Sequence, residues 1–354
     1  MMRRACLTPP SRPMMAVPYP VIAEFPMTPA PLTRRAMIQA GAAGLALGGL
    51  MRPAVAQVPV ALQLSWLHSV QFAGSYIARD RGWWADAGLA VTLLQGGPNA
   101  PVEPPVVAGT ALIGISAADY TAAAVAQGAP FKIIGVAMQK NPFAIASLPE
   151  NPVRSPADLP GRRIGMAVAN TPVLQALCTL NGIDIADIQI VPTQYSAQPL
   201  LAGEVDCLLC WETDLPVAME IQGVRAETML LADHGYVLHS QAYIATTDSI
   251  ANRRAELVAL LGGELRGWDA YRTDTDAATD LTLRMFPDAG LDPAAQRLQA
   301  RRQVPLMFSA LTDAQGFGWW DEATVRQNID TLALMGRTVT PDLWDRSILE
   351  DIHG

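Results

Sequence analysis

The first third of the chain alternates between apolar segments of two periodicities. Residues 60–64 (VALQL) alternate apolar and polar positions as a strand does. Residues 72–84 carry apolar side chains at helical spacing and end near Gly88, and residues 89–94 (LAVTLL) form the next apolar run. Strands that alternate with helices over short connections predict a mostly parallel sheet. The pattern continues with predicted strands at 111–115 and 131–138 and with a helix at 120–126 closed by Gly128.

A proline-rich segment at residues 151–161 (NPVRSPADLPG) interrupts this pattern and marks a boundary. A second αβ series follows it, and two strands, at 229–232 and 243–246, are predicted to return toward the first unit. From about residue 249 the apolar positions recur at helical spacing, which predicts a mainly helical remainder. The second series consists of predicted strands at 163–168, 188–192 and 205–211 and predicted helices at 171–181, 196–203 and 215–223.

Two αβ units and a returning chain predict an α/β protein of two lobes with a ligand cleft between them. Ligands of open α/β sheets collect at the carboxyl ends of the strands and between domains. The length of 354 residues agrees with two domains. We expect the lobes to hinge near residues 137–149 and 231–243 and to close on one small molecule. The predicted limits are 1–57 for an export segment, 58–144 for the first part of lobe 1, 145–237 for lobe 2, and 238–354 for the return of lobe 1 with C-terminal helices.

The charge balance argues against a nucleic-acid partner. The formal net charge is −8, from 25 basic and 33 acidic residues, whereas a nucleic-acid-binding domain normally carries a basic face. Half of the residues are hydrophobic, which is ample for a core. No apolar run reaches the roughly 18 residues that a membrane-spanning helix needs.

The N-terminal segment has the three parts of a twin-arginine export signal, in order. Arg34 and Arg35 precede a weakly apolar stretch at residues 40–50, and an Ala-Val-Ala cleavage site follows. We therefore expect cleavage after Ala56 and a periplasmic location. An uncleaved membrane anchor is the alternative, and no cysteine follows the apolar stretch to support a lipoprotein anchor. Because such signals begin close to their arginines, we expect translation to start at Met27.

The cysteines predict neither a redox centre nor a metal site. Cys6 lies in the segment expected to be removed, which leaves Cys178, Cys207 and Cys210. Cys207 and Cys210 form a CxxC, but they sit inside VDCLLCW, which reads as a buried strand rather than the start of a helix. A metal site would need a second pair of ligands. The sequence contains no G-x-S-x-G, HExxH or phosphate-loop motif, so no catalytic residue and no cofactor are predicted.

Four segments together resemble the NMT1/THI5-like periplasmic binding proteins. Residues 78–91 (ARDRGWWADAGLAV) are similar to the family's helix–Gly–aromatic–Gly-Leu–strand segment, and residues 114–119 (GISAAD) to its next loop. Residues 158–165 (DLPGRRIG) and 201–207 (LAGEVDC) resemble its D-L-x-G and G-x-V-D motifs, in family order. The resemblance covers about residues 60–250. It implies the two-lobed periplasmic-binding-protein fold of type II, a small-molecule ligand, a permease of an ABC importer as partner, and a monomer.

Candidate ligand contacts in the first lobe lie on loops after strands. Trp66 follows the first strand and is able to stack on a flat ring, although burial in the core is the alternative. His68 and Gln71 offer hydrogen bonds from the same loop, unless they are structural or solvated. The resemblance implies ligand contacts from Ser116 and Asp119.

The remaining candidates lie at the lobe crossing and in the second lobe. Asn141, near the crossing, offers a donor and an acceptor. Asn170 and Thr171 open a helix whose free N–H groups suit an anionic or carbonyl oxygen, with a plain N-cap as the alternative. A second-lobe strand is followed by Trp211, Glu212 and Asp214, of which the two acids are able to accept from an amino group or are ordinary solvated acids.

Aromatic and neutral polar candidates favour a flat, weakly charged heterocycle as ligand. A thiamine-pyrimidine precursor is the leading hypothesis. Riboflavin and a sulfonate, nitrate or taurine ligand are alternatives, although a sulfonate calls for an arginine in the cleft. A binding protein without a transporter is a further alternative. So is an enzyme resembling the thiamine-pyrimidine synthase, but the cysteine-rich iron-binding run of that enzyme is missing at residues 235–243 (GYVLHSQAY).

Overall fold

The strands are short, as expected for segments separated by glycine and proline turns. A computed structural model describes residues 57–98 and 100–354. The predicted export signal lies outside these residues. The strands are β1 Val58–Gln63, β2 Leu89–Leu94, β3 Ile113–Ala117, β4 Phe131–Met138, β5 Phe143–Ser147, β6 Arg163–Met166, β7 Gln189–Pro192, β8 Cys207–Trp211, β9 Glu227–Leu230 and β10 Ser240–Thr246.

These strands form two five-stranded sheets. Sheet A has the order β2-β1-β3-β10-β4 and sheet B the order β7-β6-β8-β5-β9. In sheet A, β10 runs antiparallel to both of its neighbours, and in sheet B β5 does so. The remaining pairs are parallel, and their strands read as nearly continuous apolar runs because helices cover both faces. The predicted α/β class with mostly parallel pairing is confirmed.

Helices connect and cover the strands. The helix predicted at 72–84 is two helices, because Gly82 adopts a left-handed conformation (φ 71°) that ends the first of them. The helices are α1 Ala73–Asp80, α2 Trp83–Asp86, α3 Glu103–Val107, α4 Ala118–Ala126, α5 Thr171–Leu180, α6 Gln198–Leu201, α7 Leu215–Ile221, α8 Thr247–Asn252, α9 Arg254–Thr273, α10 Thr275–Met285, α11 Pro293–Met307, α12 Ala310–Gln315, α13 Glu322–Leu334 and α14 Ser347–His353.

One of the two predicted returning strands was assigned to the wrong sheet. Strand β10 returns to sheet A as predicted, but β9 stays in sheet B, where Met229 pairs with Ile145 of β5. Strand β5 explains the difference. The sequence analysis did not predict β5 as a strand and included its residues in the crossing at 137–149. Strand β5 pairs antiparallel with β8 on one side, and β9 pairs with the other side of β5.

Two segments, 139–142 and 231–239, cross between the sheets. The first connects the carboxyl end of β4 to the start of β5, which lies beside the carboxyl end of β8 through the pair Phe143–Trp211. The second connects the carboxyl end of β9 to the start of β10, which lies beside the end of β3 through the pair Ser240–Ala117. Both crossings therefore join the carboxyl edge of sheet A to the carboxyl edge of sheet B.

The C-terminal helices, which the sequence assigned to the return of lobe 1, pack on sheet A. The Val136 N–H of edge strand β4 donates to the Gly318 carbonyl (2.9 Å), and Trp320 is buried. Trp344 bridges to Ile133 of the same strand, and its indole N–H donates to His239 Nδ1 (3.0 Å). These contacts cover an edge that would otherwise expose unpaired backbone groups.

The CxxC cysteines belong to the core of sheet B, as predicted. Cys207 and Cys210 are three residues apart in β8, so their side chains leave opposite faces, and each joins a different hydrophobic cluster. Burial raises the pKa of Cys207 to about 12 and that of Cys178, in α5, to about 11. All three thiols are free and held in the unreactive protonated form.

Candidate functional site

Exposed apolar side chains concentrate at the two carboxyl edges. Of ten large apolar side chains exposed among the described residues, five lie in the first residues that follow β1, β3, β6 or β7. Ligands of open α/β sheets bind at these ends of the strands, so the exposed apolar side chains there are candidate ligand contacts. The five are Trp66, Leu67, Tyr120, Val168 and Tyr195.

Trp66 is held at the edge of sheet A by a close approach of the next loop. Its side chain is 38% exposed, so the alternative of core burial does not apply. Its carbonyl accepts from the Gly96 N–H (3.1 Å), and a Cβ at Gly96 would lie 2.5 Å from the Ser65 carbonyl carbon. Only glycine permits this contact.

His68 and Gln71 lie deeper than Trp66. The His68 ring stacks on Phe286 (3.9 Å between ring centroids, 14° between planes), and its Nδ1 is 3.1 Å from the Tyr76 hydroxyl. Burial, with a contribution from Arg79, lowers the pKa of His68. Gln71 is buried in the 3-10 helix Val70–Phe72. His68 is thus packed among aromatic rings, and its burial disfavours the protonated form.

Ser116 and Asp119 form an acidic patch with Glu103 at the end of β3. The Ser116 hydroxyl donates to Glu103 Oε1 (2.5 Å). Burial raises the pKa of Asp119 to about 6, and the nearby charge of Glu103 adds to the rise. Tyr236, from the second crossing, is close enough that Asp119 contributes to the rise of its pKa. Asp119 therefore takes up a proton at a higher pH than an ordinary aspartate.

Asn141 joins the two crossings to each other. Its Nδ2 donates to the Leu238 carbonyl (2.8 Å), and its Oδ1 accepts from the Phe143 N–H (3.0 Å). Its side chain is buried. Both polar atoms already have protein partners, so the arrangement favours a hinge role over the ligand contact that the sequence predicted.

Asn170 and Thr171 lie at the carboxyl edge of sheet B, where β6 leads into α5. The Thr171 hydroxyl donates to the Val168 carbonyl (2.7 Å). Asn170 is at the N-cap position, but its side chain makes no capping hydrogen bond, so the simple N-cap role does not describe it. Pro172 occupies the first turn, as its missing N–H allows.

The residues after β8 form the second-sheet part of the site. The Trp211 N–H donates to the Tyr195 hydroxyl (3.4 Å). Burial raises the pKa of Asp214, and the Tyr195 hydroxyl opposes this rise. Burial also raises the pKa of Glu212, whose Oε1 pairs with Arg302 (3.4 Å). Tyr195, which the sequence prediction omitted, thus belongs to this group.

An aromatic row connects the two sheets. The Phe143 ring packs edge-on against the rings of Trp211 (6.3 Å between ring centroids) and Tyr236 (6.4 Å between ring centroids). Tyr236 in turn lies near Asp119 and Tyr120. The row therefore links Trp211 in sheet B to Asp119 in sheet A. Neither Phe143 nor Tyr236 was predicted, since both lie in segments that the sequence indicated only as connections.

The loops after β1, β2, β3, β6, β7 and β8 contain no lysine or arginine, at residues 64–69, 95–102, 118–121, 167–171, 193–197 and 212–214. They contain the acids Asp119, Glu212 and Asp214, and Glu103 follows directly. Arg302 reaches Glu212 from α11, but it is already paired there and with Glu220. At the same edges, Lys140 follows β4 and pairs with Asp233, and Arg337 lies near enough to Asp119 to oppose the rise of its pKa. The segments after these six strands favour a ligand that donates hydrogen bonds over an anion.

The NMT1/THI5-like family profile matches residues 69–278, more than half of the chain. The chain belongs to this family. The sequence resemblance is thereby confirmed, and the fold is that of the periplasmic binding proteins.

Relatives of this NMT1/THI5-like chain include binding proteins and an enzyme. The riboflavin-binding protein RibY of Chloroflexus aurantiacus is 26% identical over 271 residues, which cover 74% of this chain and 76% of the relative. A 4-amino-5-hydroxymethyl-2-methylpyrimidine phosphate synthase of Legionella pneumophila subsp. pneumophila is 26% identical over 137 residues, 38% of this chain and 41% of the relative.

Among solved structures, the periplasmic aliphatic sulphonate binding protein SsuA of Escherichia coli superposes on the family member with a TM-score of 0.62. The match covers 79% of this chain and 92% of SsuA at 15% identity, so it bears on the fold and not on the ligand. Within residues 57–98 and 100–354, no group of histidine, cysteine or acidic side chains is arranged to hold a metal ion. No helix of this part is long and apolar enough to cross a membrane.

Proposed function

We propose that this protein is the extracytoplasmic solute-binding component of an ABC importer and that it binds a flat, neutral or weakly basic heteroaromatic compound. The observation that carries the proposal is the set of exposed aromatic side chains at both carboxyl edges, on segments after the strands that contain no lysine or arginine. Aromatic side chains stack on flat rings, and carboxylates beside them accept hydrogen bonds from ring nitrogens or amino groups.

The ligand class follows from the charge of the edges. A sulfonate or nitrate needs cationic or N–H donors, and the loops after six of the strands supply no lysine or arginine. The thiamine-pyrimidine precursor predicted from the sequence and riboflavin both satisfy the charge and stacking requirements. The family membership and the RibY relative support a ligand of this kind.

Binding rather than catalysis is the function that the residues support. Cys178, Cys207 and Cys210 are buried as thiols, and the described lysines, Lys132 and Lys140, are paired with Asp342 and Asp233. These side chains leave no free nucleophile of the cysteine or lysine type at the edges. The proposed mechanism is closure of the two sheets on the ligand about the crossings at 139–142 and 231–239, followed by docking on a permease.

The test is to purify the protein under native conditions, denature it, and identify released small molecules by mass spectrometry. Thermal shifts with riboflavin, 4-amino-5-hydroxymethyl-2-methylpyrimidine and taurine complete the experiment. A stoichiometric heteroaromatic compound, or a shift with one of the first two probes alone, is the expected result. A sulfonate in the released material, or catalytic turnover of a bound heterocycle, would contradict the proposal.

A further inference from the structure

Gln241 has a buried side-chain amide without a protein partner. The residue is 2% exposed, and within the described chain neither its Nε2 nor its Oε1 makes a hydrogen bond. Leaving a buried amide unpaired destabilises the folded state, and few buried amides in natural proteins lack a partner. An apolar side chain of the same size would fill this position without that cost.

The backbone of Gln241 is strained as well. Its φ of 46° is the single positive φ of a non-glycine residue in the described part of the chain. The strain comes from a bulge in β10. Ser240 pairs with Ala117 and Ala242 pairs with Ser116, so Gln241 is the extra residue opposite β3. Strained backbone of this kind concentrates at functional sites, where the surrounding structure enforces it.

The bulge lies at the carboxyl edge of sheet A, in the strand between β3 and β4. It adjoins the acidic patch, because Ser116 lies in β3, Asp119 lies in the first turn of α4, and the Ala118 N–H donates to the His239 carbonyl (3.0 Å). The polar neighbours are already engaged. Ser116 donates to Glu103, and His239 Nδ1 accepts from Trp344. Neither Ser116 nor His239 hydrogen-bonds the amide.

We propose that Gln241 is a ligand-binding residue whose amide hydrogen-bonds the polar edge of the ligand ring. This inference rests on the proposed function and narrows it. A glutamine amide presents a donor and an acceptor side by side, which matches a ring edge with an acceptor next to a donor. Lactam edges and aminopyrimidine edges have this pattern, and a sulfonate does not. The bound ligand supplies the hydrogen-bond partners that the Gln241 amide lacks within the protein.

The test uses Gln241→Met, which keeps the length of the side chain and removes both polar atoms. Gln303→Met is the matched control, because Gln303 is also fully buried with an unpartnered Oε1, but it contacts Tyr271 on α9, away from the bulge. The probes are riboflavin, followed by quenching of its fluorescence, and 4-amino-5-hydroxymethyl-2-methylpyrimidine, followed by calorimetry.

Gln241→Met is expected to raise the Tm of the unliganded protein by about 2–5 °C and to weaken binding of the active probe at least about tenfold. Gln303→Met is expected to bind within about twofold of the unmodified protein. If Gln241→Met fails to fold, Gln241→Gly, which suits the left-handed backbone, replaces it with the same expected loss of affinity.

The outcomes separate this inference from the proposed function. If the unmodified protein binds a probe and Gln241→Met binds it equally well, the role of Gln241 is overturned and the proposed function stands. An equal loss of affinity in Gln303→Met would trace the effect to packing and would also overturn the role. If the unmodified protein carries no heteroaromatic ligand and binds neither probe, the proposed function fails and this inference fails with it.

Discussion

The carboxyl group of Glu264 is the most deeply buried acid of sheet A's helical cover. Its Oε1 accepts from the Tyr243 hydroxyl (3.1 Å) and from the Trp268 indole N–H (2.9 Å). Burial raises the pKa of Glu264 to about 7, and these hydrogen bonds only partly oppose the rise. The charge of Glu264 also contributes to the raised pKa of Tyr76, which lies nearby on α1. The core of this protein therefore contains an acid that is protonated in mildly acidic solution.

Replacing this acid by Glu264→Gln is expected to change how stability depends on pH. The folded state binds the proton more tightly than the unfolded chain, whose glutamate pKa is about 4.5. The stability that proton binding by Glu264 adds to the folded state is thus fully present below pH 4.5 and is lost as pH rises through about 7. Urea unfolding from pH 4.5 to 8 checks this. As pH rises from 4.5 to 8, the free energy of unfolding of Glu264→Gln minus that of the unmodified protein should increase by about 3 kcal/mol.

A difference between the two proteins that stays constant over this pH range would contradict the assignment. It would mean that Glu264 titrates alike in the folded and unfolded states.

Trp66→Ala is expected to weaken binding of the active heteroaromatic probe at least about tenfold, because it removes a ring that the Gly96 turn holds at the carboxyl edge. Val58→Ala is the control. Val58 is 40% exposed, close to the 38% of Trp66, but it begins β1 at the opposite end of the strand. Calorimetric titration measures both. Equal affinities for the two variants would place the ligand elsewhere.

Between elements, Arg302 connects the two sheets through their helices. It extends from α11, which packs on sheet A, to the Glu212 carbonyl (3.3 Å) and Oε1 (3.4 Å) after β8. Its second guanidinium nitrogen pairs with Glu220 of α7. Arg302 and Glu212 are 23% and 21% exposed, so water screens their ion pair only partly. This contact fixes α11 against the sheet B edge that carries Glu212.

Arg302→Met is expected to lower the free energy of unfolding by about 1–2 kcal/mol, because it leaves the half-buried Glu212 carboxylate without its cation. Arg301→Met is the control at the neighbouring position. Its pair with Asp276 is 61% and 55% exposed, and a surface pair contributes little. Guanidinium unfolding of both variants gives the comparison. Equal effects of the two substitutions would show that the Arg302 contact does not stabilise the fold.

At the scale of the molecule, two crossings bind the sheets into one unit. The described residues, 57–98 and 100–354, belong to one unit by their contacts. The second crossing is fixed on several sides. Leu238 accepts from Asn141, the His239 N–H donates to Asn328 (2.6 Å), and the His239 ring accepts from Trp344. Burial lowers the pKa of His239 to about 3, so its ring stays neutral across physiological pH.

Because the crossings share these contacts, the sheets are expected to unfold together. Thermal unfolding followed by far-ultraviolet circular dichroism and by tryptophan fluorescence should give a single transition with the same midpoint. Asn141→Ala should lower that midpoint without splitting it. Two separate transitions in the unmodified protein would indicate that each sheet folds independently.

The N-terminal segment is predicted to direct export through the twin-arginine pathway. Substituting both arginines of the pair, Arg34→Lys with Arg35→Lys, is expected to retain the protein in the cytoplasm of a host with a twin-arginine pathway. Fractionation followed by immunoblotting measures the location. Lysine at one exposed position, such as Arg225→Lys, serves as the control. Unchanged export of the double variant would contradict the twin-arginine assignment.

The sequence alone determined the class of fold, and it predicted a ligand site at the carboxyl ends of the strands. Local signals suffice for both, because turn glycines such as Gly82 and strand periodicity depend on a few neighbouring residues. Parallel strands bring their carboxyl ends to one edge, so Trp66, Trp211 and Asp214 were predicted as ligand contacts from their positions at strand ends. Asp119 was implied by the family resemblance. The family motifs added the two-lobed fold, which the comparisons confirmed.

Only the tertiary structure decided which side chains meet at that edge. Tyr195 joins Trp211 and Asp214, and Arg302 reaches Glu212 across 90 residues of chain. The bulge at Gln241 exists because β10 lies between two strands whose registers differ by a residue, which no local pattern encodes. Likewise β9 pairs with β5 because that edge is open. Contacts of this kind depend on how elements distant in the chain pack together, so the residues next to each contact residue in the sequence do not identify its partner.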